Sequence, residues 1–533
     1  MPPGGPRDTT GPEVVETIPE TGSIQVDRET EPAITFSENI KMAKPEESVF
    51  ITPFPGDEVE YKVKGKRIEI EIPGLLRENR TYVITCGTKI TDYRNNNLSE
   101  SYSLAFSTGG RIDMGKIRGR VHAQKKASGI DVWAYTGTVI DTLDPQKNKP
   151  DYIVQCSENG EFQFTHLAPG SYRLFAVEDR YGDQVYQPVE DRYGVFWEDI
   201  EVGADSGAAV LGVLFRMTTE DTLAPALNRA EARDRKRIFL QFSEPVVTDS
   251  LYRIELYNEK NEKIPVNFSY QDPLRDQLLH CVGGPFSKNN TYTLSISGVA
   301  DKDGNRIDTA FNSVEFSGVS TPDTTAPVLS SSVPEPGSEH VMPGTSLYFY
   351  FSEPVDRVAG KQHIVLEDTL GKVYPGSVIR ESPASFIYTP FPELDSETFY
   401  RCRISSLEDL RGNKLADTTV TFMTLNKDTL TGIAGVVNDA DTAARGSIFI
   451  SAHQADNQDV SYEVEIADTG RFAVSSMLPG RYILSFFRDR DGDGHYSFGD
   501  LSPFSPAERF RVYEDTLQLR SRWVQEGIKL LLK

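Results

Sequence analysis

The chain has few of the residues that build covalent or metal-bound frameworks, and it has no long apolar run. Its 533 residues contain four cysteines that form no Cys-x-x-Cys pair, which argues against a disulfide framework and against a zinc ribbon. No apolar run approaches the roughly 20 residues of a membrane-spanning helix. We expect the four cysteines, which lie far apart in the sequence, to be buried free thiols: Cys86, Cys156, Cys281 and Cys402.

Motifs of enzymatic catalysis are also lacking. The seven histidines are scattered with no His-Glu-x-x-His pair, and no Gly-x-Ser-x-Gly elbow, phosphate loop or dinucleotide-binding glycine motif is present. We therefore assign no catalytic residue and predict that the protein is not an enzyme. The formal net charge of −23 argues against a nucleic-acid partner, because a phosphate backbone requires a basic protein face.

Tryptophan is scarce as well, with three in the chain. Trp133 and Trp523 lie in strand-like patterns, which favours packing in a core. Trp197 follows the sequence Tyr-Gly-Val-Phe in a predicted loop and is the best candidate among the three for a contact surface.

A short segment ending in Phe-Ser-Glu occurs three times. Apolar and polar residues alternate up to the Ser-Glu, which is typical of a strand with one buried face. Each copy is followed by a second strand, an acidic turn with Gly or Asn, and a closing strand. About seven short strands per unit predict a β-sandwich of immunoglobulin type. The copies lie at residues 34–38, 239–245 and 349–354, and the units open at Asp8, Asp221 and Asp323.

The glutamate of each Phe-Ser-Glu invites a catalytic interpretation, but three such residues would mean three active sites. We interpret Glu38, Glu244 and Glu353 instead as strand-end glutamates that accept hydrogen bonds from the backbone of a neighbouring loop.

These three segments resemble the bacterial Ig-like domains first described in surface-layer proteins. That family typically shows an opening Asp and Pro, a Phe-Ser-Glu-Pro-Val-like strand, an Asp-x-x-Gly-Asn turn and a closing Phe strand. The first copy departs from the pattern, since it has Asn39 where the others have Pro245 and Pro354.

A second kind of repeat lies between the first two copies and again at the C-terminus. Residues 160–174 and 470–484 share the pattern Gly-x-Phe-x-Φ-x-x-Φ-x-Pro-Gly-x-Tyr-x-Leu, where Φ is apolar, and we predict a hairpin around each Pro-Gly turn. The pattern resembles the prealbumin-like sandwich of carboxypeptidase regulatory-like domains. In that family the module is a stalk or an accessory, which is what the resemblance implies here.

The predicted fold class is therefore all-β: an elongated series of tandem β-sandwiches, three Ig-like and two prealbumin-like. The linkers are short, which favours a semi-rigid arrangement. The predicted boundaries are an N-terminal leader at 1–11, Ig-like domains at 12–110, 220–319 and 320–427, and prealbumin-like domains at 111–219 and 428–533.

The second prealbumin-like repeat continues directly into an acidic loop. Aspartates at loop positions 1, 3 and 5, glycine at 6, serine at 9 and aspartate at 12 match the spacing of an EF-hand calcium loop. Since strands rather than helices flank it, we predict a structural Ca²⁺ loop between strands; a solvated Asp/Gly turn and another metal remain as alternatives. The predicted ligands are Asp489, Asp491, Asp493, His495 through its main-chain carbonyl, Ser497 and Asp500.

The first prealbumin-like repeat has a weaker version of this loop. It contains Asp179 and Asp183, but Tyr181 replaces one ligand and Gln184 replaces the glycine. We expect this loop to fold without an ion.

As a whole the chain resembles the Ig-like-domain lipoproteins of the Bacteroidota, which carry a lipidated Cys a few residues before a segment like Gly4–Asp8. The start of the numbered chain has no apolar signal region, so we expect that it begins after an export signal. The resemblance implies a protein of the periplasm, the outer membrane or the cell surface, with a lipid anchor upstream. The same resemblance implies that the recurring Asp-Thr-Leu and Asp-Thr-Thr tripeptides accept O-linked glycans. The alternative is that Asp-Thr simply begins strands at domain junctions.

The leading functional hypothesis is a non-enzymatic spacer, scaffold or adhesion protein. Five sandwich repeats without a convergent catalytic set motivate it, and its partner would be a protein or a glycan at the cell surface. The alternative is a carbohydrate-binding accessory of a polysaccharide-processing system, motivated by the aromatic residues.

Overall fold

The computed structural model describes residues 9–42, 44–45, 48–52, 59–123, 127, 129–136, 143–203, 209–355, 363–457 and 459–533. Most of the predicted leader and the opening Asp8 lie outside these residues. The described chain is built from strands, with a short 3₁₀ helix at Lys427–Thr429. The prediction of tandem β-sandwiches is confirmed, whereas elongation stays a prediction.

The chain forms two compact units. The first comprises residues 1–220, 432–520 and 524–533, and the second comprises residues 221–431 and 521–523. The predicted first Ig-like and both prealbumin-like domains thus lie in the first unit, and the other two Ig-like domains lie in the second.

The N-terminal sandwich has a four-stranded sheet of order β1-β2-β6-β5, a three-stranded sheet of order β4-β7-β9 and a small β3-β8 pair. The Phe-Ser-Glu strand β2 lies inside the larger sheet, and its Ile34 and Phe36 are buried in the core. The strands are β1 Val14–Ile18, β2 Ala33–Phe36, β3 Ile40–Lys41, β4 Val49–Thr52, β5 Glu60–Lys64, β6 Arg67–Glu71, β7 Thr81–Cys86, β8 Thr91–Asp92 and β9 Tyr102–Ser107.

The next sandwich packs a sheet of order β13-β10-β17, in which β10 and β17 run parallel, against a sheet built on β12-β11-β14-β15-β18 with β16 beside β14. Its core contains Phe162, Phe164, Leu174 and Phe215. The strands are β10 Gly115–His122, β11 Asp131–Thr136, β12 Tyr152–Gln155, β13 Glu161–Leu167, β14 Gly170–Glu178, β15 Arg192–Val195, β16 Ile200–Val202, β17 Ala209–Arg216 and β18 Thr218–Thr219.

In the second unit, the first sandwich has sheets of order β19-β20-β23-β22 and β21-β24-β25. The Phe-Ser-Glu strand β20 again lies inside its sheet, with Leu240 and Phe242 buried. The strands are β19 Leu227–Ala232, β20 Arg237–Phe242, β21 Val247–Asn258, β22 Val266–Gln271, β23 Leu278–Gly283, β24 Thr291–Ala300 and β25 Ser313–Ser317.

The second sandwich of this unit has sheets of order β26-β28-β32-β31 and β27-β34-β33-β29-β30. Here β28 is the Phe-Ser-Glu strand, and Phe349 and Phe351 are buried. The strands are β26 Leu329–Val333, β27 Ser338–Val341, β28 Leu347–Phe351, β29 Ile364–Asp368, β30 Val373–Tyr374, β31 Gly376–Ser382, β32 Ser385–Pro390, β33 Phe399–Ile404 and β34 Thr418–Thr424.

The C-terminal sandwich repeats the architecture of the sandwich formed by β10 to β18, as the predicted prealbumin-like repeat requires. Its sheets have the orders β38-β35-β44 and β37-β36-β39-β42, with β43 beside β39 and a separate β40-β41 pair. The strands are β35 Thr431–Asp439, β36 Ile448–Gln454, β37 Ser461–Ile466, β38 Gly470–Met477, β39 Gly480–Arg488, β40 Asp500–Leu501, β41 Phe504–Ser505, β42 Phe510–Val512, β43 Leu517–Leu519 and β44 Val524–Leu532.

The predicted hairpins at the two Pro-Gly turns are wrong. Strands β13 and β14 belong to different sheets, and so do β38 and β39. Each turn therefore carries the chain from one sheet of a sandwich to the other. Alternation of apolar and polar residues determines which side chains face the core. It is the same whether a turn joins two neighbouring strands of one sheet or crosses to the other sheet, so the pattern alone does not distinguish a hairpin from a crossing.

The predicted burial of the cysteines and of two tryptophans is confirmed except at Trp523. All four cysteines are free and buried, as predicted. Trp133 is fully buried, also as predicted, whereas Trp523 is 70% exposed and the prediction that it packs in a core is wrong. The exposed Trp523 lies just before β44, whose residues 524–527 are exposed too, so the buried face of this strand begins only after them.

The two sandwiches that are predicted to be prealbumin-like pack against each other, although residues 221–431 separate them in sequence. A segment comprising residues 496–510 of the last sandwich carries Leu501, Phe504 and Ala507 into a cluster with Trp133 and Phe175 of the first. We call residues 496–510 the docking segment.

Polar groups contribute to the same contact. The Arg173 guanidinium lies 3.7 Å from the centre of the Phe504 ring, and Arg509 lies 5.1 Å from that of Trp197. The Tyr193 hydroxyl donates a hydrogen bond to the main-chain oxygen of Gly499 over 2.9 Å. Trp197 is thus part of a contact surface within the chain itself.

Candidate metal centre

The predicted calcium loop begins where β39 ends, and its first residue is held firmly. Arg488, the last residue of β39, is buried and its Nε lies 2.8 Å from a carboxylate oxygen of Asp439. The same carboxylate binds Arg509 at 2.6 Å. Asp489 follows directly and is only 3% exposed. Two buried arginines sharing one aspartate therefore hold the residue before the acidic loop next to the residue that follows Glu508.

Backbone amides wrap the loop around the Asp489 carboxylate. The amides of Gly492 and Gly494 donate to its two oxygens over 2.6 and 3.0 Å. Both glycines have φ near +80°, a conformation that L-residues with side chains rarely adopt. The sequence Asp-Gly-Asp-Gly thus dictates a tight reversal that returns toward its own first residue.

Three carboxylates converge inside this reversal. One oxygen each from Asp489, Asp491 and Asp493 lies within 4.8 Å of the other two. Ca²⁺ binds oxygen at 2.3–2.6 Å, so ligands on opposite sides of one ion lie at most about 5 Å apart. The spacing of these oxygens fits a single hard cation.

The remaining predicted ligands are placed differently. The Ser497 hydroxyl donates to Asp491 over 2.7 Å, and the His495 amide donates to Asp493 over 2.7 Å, so both lie at the loop. Asp500 begins β40, and its carboxylate accepts from the Ser505 hydroxyl over 2.7 Å. It is not in the converging group, and the six-residue ligand set as a whole stays a prediction.

A fourth acidic group at the loop was missed by the sequence analysis. Glu508 is 3% exposed, and its carboxylate accepts hydrogen bonds from the amides of Arg490 and Ser497. Burial raises the pKa of this carboxyl to about 7; the two backbone amides lower it, and the charges of Asp491 and Asp489 raise it further. Glu508 lies beyond the twelve loop positions, so motif spacing could not find it.

The loop of the first prealbumin-like repeat has the same hydrogen-bonded scaffold. Asp179 accepts from the amides of Gly182 and Gln184 over 2.6 and 2.9 Å, as Asp489 does in the later copy. Asp191 accepts from the amides of Arg180 and Gln187, and so takes the place of Glu508. Comparing the two repeats is the one signal that could have identified the closing acid.

The strand-end Glu353 does not accept from a loop backbone in the described chain. It forms an ion pair with Arg237, which begins β20 of the preceding sandwich. The same guanidinium pairs with Asp234 and lies 3.0 Å from Asp323. For Glu353 the backbone-binding interpretation is therefore wrong, because a cationic side chain from another domain occupies the site.

A histidine–aspartate pair also escaped the sequence analysis. His280 Nε2 lies 2.9 Å from Asp272, and Asp272 also binds Arg275 at 2.8 Å. The imidazole ring of His280 stacks on the ring of Tyr270, with the two centroids 5.0 Å apart. They line a cavity of about 250 Å³. Ser330 and Ser352 line the same cavity, but among the hydrogen bonds of the described residues neither serine contacts His280.

The fold and these sites define a class: a multidomain β-sandwich protein with acidic loops at the ends of its domains. The family described as "Bacterial Ig-like domain" matches residues 8–108 and 323–424. In these two segments the chain is similar to bacterial Ig-like domains. The matches coincide with the first and third predicted Ig-like repeats, while the exact domain boundaries stay predictions.

Comparisons with solved structures find only limited similarity. The N-terminal part of the bacterial S-layer protein SbsC is 12% identical over 38% of this chain, with a TM-score of 0.19, and this chain covers 44% of it. The FN1–FN3 domains of chicken CNTN1 are 11% identical over 55% of this chain and 99% of theirs, with a TM-score of 0.15. An L,D-transpeptidase from Mycobacterium tuberculosis H37Rv is 11% identical over 38% of this chain and 89% of its own, with a TM-score of 0.17. Likenesses this weak carry no functional argument.

A comparison with curated proteins gives no match. Within the described residues, no helix has the length and apolar character needed to cross a membrane.

Proposed function

We propose that the protein is a non-enzymatic modular scaffold or spacer that is exported to the periplasm or the cell surface. The Ig-like domains support a modular role. The observation that carries the proposal is the use of buried charges and aromatic rings for contacts between domains. A chain in which Arg173 and Arg237 each contact a residue of another domain is suited to holding partners at a fixed spacing.

The joint in the second unit illustrates this. Arg237 belongs to one sandwich, and its guanidinium is surrounded by carboxylates of which Asp323 and Glu353 belong to the next. In the first unit, the docking segment joins the two prealbumin-like sandwiches through Phe504 and its neighbours. Both contacts resist bending, because bending would expose buried charge or apolar surface.

We further propose that the loop of Asp489, Asp491 and Asp493 binds a structural Ca²⁺, with Glu508 as an additional acidic group. The loop leads directly into the docking segment. A cation there would neutralise four neighbouring carboxylates and order the residues that contact the first prealbumin-like sandwich. Calcium would thereby stabilise the contact between the two domains.

The fluorescence of tryptophan tests the calcium proposal, since Trp133 and Trp197 both lie at the docking contact. We expect Ca²⁺ to change the emission and raise the unfolding temperature of the wild type but not of Asp491→Asn. The matched control is Asp183→Asn in the first loop, which should respond as the wild type does. An unchanged response in Asp491→Asn would contradict the proposal.

The proposed location and anchor are tested on cells. We expect externally added protease or antibody to reach the protein on intact or outer-membrane-permeabilised cells, and the DNA upstream of Met1 to encode an export signal ending in Cys. Exclusive recovery with the cytoplasmic fraction would overturn this. For the non-enzymatic assignment, generic ester, peptide and glycoside substrates should not be turned over; turnover that is lost in His280→Ala would establish an enzyme.

A carbohydrate-binding accessory is the second candidate, and the exposed Trp523 favours it. An indole ring that is 70% exposed offers a flat face on which a sugar ring can stack. We expect binding on a glycan array to be lost in Trp523→Ala if this function is right. No binding by the wild type, or binding that survives the substitution, removes the candidate.

A further inference from the structure

The cavity beside His280 lies between the two sandwiches of the second unit and has a volume of about 250 Å³. One wall is formed by β23 and the turn that joins it to β22, and the other is formed by β26 and the end of β28. We call it the joint cavity. Its lining includes Asp272, Arg275 and His280 on the first wall and Ser330, Phe351 and Ser352 on the second.

Three hydrogen bonds fix the carboxylate of Asp272 in the first wall. The amide of Leu274 donates to one oxygen over 3.0 Å, and the Arg275 guanidinium donates to the other over 2.8 Å. His280 Nε2 lies 2.9 Å from that second oxygen. Although burial opposes it, these bonds from His280, Arg275 and the Leu274 amide hold the pKa of the carboxyl below its ordinary value. Asp272 is therefore ionised at neutral pH, and it acts as an acceptor only.

The same side chains have hydrogen-bonding capacity beyond these contacts. A carboxylate has about four lone-pair positions and a guanidinium has five N–H donors, so the bonds to Asp272 use only part of either group. Because an ionised carboxylate accepts from Nε2, the neutral His280 ring keeps an acceptor at Nδ1. Arg275 is 59% exposed, so a ligand can reach its guanidinium. The first wall thus presents a charged acceptor and a charged donor side by side.

The second wall contributes hydroxyl groups and apolar surface. Ser330 is exposed on β26. The Ser352 hydroxyl accepts from the amide of Val328 over 3.1 Å, and a hydroxyl that accepts still has its own proton to donate. Phe351 on this wall and Pro273 on the other are apolar. A ligand in the joint cavity would therefore meet polar groups from both domains and apolar contacts between them.

Charge and volume together indicate the kind of ligand. Asp272 would repel an anion and Arg275 would repel a cation, whereas neighbouring hydroxyls of a neutral polyol can donate to the carboxylate and accept from the guanidinium at once. The cavity volume of about 250 Å³ equals roughly eight waters at about 30 Å³ each. It lies below the ~300–1,000 Å³ of pockets for drug-sized ligands, so one sugar ring suits it better than an oligosaccharide.

We propose that the joint cavity binds one neutral monosaccharide unit, with Asp272 and Arg275 of one domain and Ser352 of the next as its hydrogen-bonding partners. Because the sugar contacts both domains, it stabilises the same joint that Arg237 forms. The proposal goes beyond the scaffold role. It is also independent of the exposed Trp523, which lies outside the lining of the joint cavity.

Saturation-transfer NMR on the full chain tests the proposal, because it detects weak binding of small sugars. The probes are D-glucose, D-galactose, D-mannose, N-acetyl-D-glucosamine and L-fucose. We expect at least one to bind, and Arg275→Met to weaken that binding by about tenfold, as the loss of a charge-assisted hydrogen bond predicts. The matched control is Arg253→Met, which removes an exposed arginine of the same domain outside the cavity and should leave binding unchanged.

A second variant fills the cavity instead of removing a donor. Ser330→Trp introduces a large side chain from an exposed position and should abolish binding. The carboxylate and amine counterparts of the bound sugar, such as D-galacturonate and D-galactosamine for D-galactose, should bind more weakly than the neutral sugar. A charged counterpart that binds more tightly would overturn the proposed ligand class, and the absence of binding by every neutral probe would leave a hydrated gap only.

Amide exchange of the wild type gives a readout that needs no variant to fold. The bound sugar should slow exchange in peptides covering 270–280 and 347–352, because it contacts both walls. Trp523→Ala separates this site from sugar binding at the exposed indole: it should leave binding unchanged. Binding that is lost in Trp523→Ala and retained in both Arg275→Met and Ser330→Trp would overturn the joint cavity as the site.

Discussion

Removing the Arg237 guanidinium should loosen the joint between the two Ig-like domains of the second unit. Arg237→Met keeps an apolar stem of similar length but deletes the charge. The three acids that pair with this guanidinium, Asp234, Asp323 and Glu353, have side chains only 5%, 6% and 7% exposed. The Arg237 side chain is itself 22% exposed, so water can reach the vacated site, but the burial of the three carboxylates lets it replace the lost partner only in part.

The expected cost is large because buried carboxylates lose their cation. Breaking a buried ion pair by removing one partner typically costs about 3–5 kcal/mol. Glu353 can reduce this cost by taking up a proton. Burial raises the pKa of its carboxyl to about 7, and the charges of Asp323 and Asp409 raise it further, while Arg237 lowers it. The destabilisation should therefore be smaller at pH values where Glu353 takes up a proton than above pH ~7.

Amide hydrogen exchange, followed by mass spectrometry on the full chain, measures this effect locally. Trp133 and Trp197 lie in the other unit, so their fluorescence would not report it. A loss of about 3 kcal/mol corresponds to roughly hundredfold faster exchange, at about 1.4 kcal/mol per factor of ten. We expect this acceleration in peptides covering β20 and β28.

The control is Arg235→Met, since Arg235 is exposed and only two positions away. It should leave exchange in both strands nearly unchanged. A double-mutant cycle with Glu353→Gln should also reveal coupling, because both substitutions act on one ion pair. Exchange in Arg237→Met that matches the control, or strictly additive effects in the cycle, would refute the reasoning.

Three further predictions concern the first unit and the thiols. Without divalent cations, Glu508→Gln should flatten the dependence of the unfolding free energy on pH. Because the pKa of Glu508 is raised from about 4.5 to about 7 in the folded protein, its contribution to stability is full below pH ~4.5, and up to about 3 kcal/mol of it is lost as pH rises through about 7. Urea unfolding followed by tryptophan fluorescence would measure this difference. Phe504→Ala should remove the ring under the Arg173 guanidinium and weaken the docking contact by roughly 2 kcal/mol, seen as a shifted Trp133 emission, whereas an unshifted spectrum would contradict the contact. The four buried cysteines should not react with a thiol reagent until the chain unfolds, and any thiol that reacts in the native protein would contradict the burial that raises the pKa of Cys86 to about 12.

Alternation in the sequence was sufficient to predict the sandwiches but not their connections. The buried positions of β2, β20 and β28 follow from every second residue being apolar. The same alternation in β13 and β14 predicted a hairpin, yet the strands lie in opposite sheets. Whether a Pro-Gly turn joins neighbours or crosses a sandwich depends on which strands are available as partners elsewhere, such as β10 for β13 and β11 for β14.

The contact between the two prealbumin-like sandwiches lay beyond sequence patterns for a related reason. The docking segment is mostly loop, and its apolar residues, including Tyr496, Leu501 and Phe504, follow neither strand nor helix periodicity. For the candidate calcium loop, spacing identified the converging aspartates but not Glu508, since the chain returns to the loop only through β40 and β41.

The repeats show that scaffold and charge balance are separate properties of these domain ends. Asn305 and Asn413 hold equivalent aspartates with the same pair of hydrogen bonds, and Asp191 and Glu508 close equivalent loops by accepting from two amides. The neutral donors fix position without compensating charge. Compensation must then come from outside the turn, and in the third Ig-like domain an arginine of the preceding domain supplies it. A domain end of this kind can therefore join two domains when the preceding domain supplies the cation, as Arg237 does here.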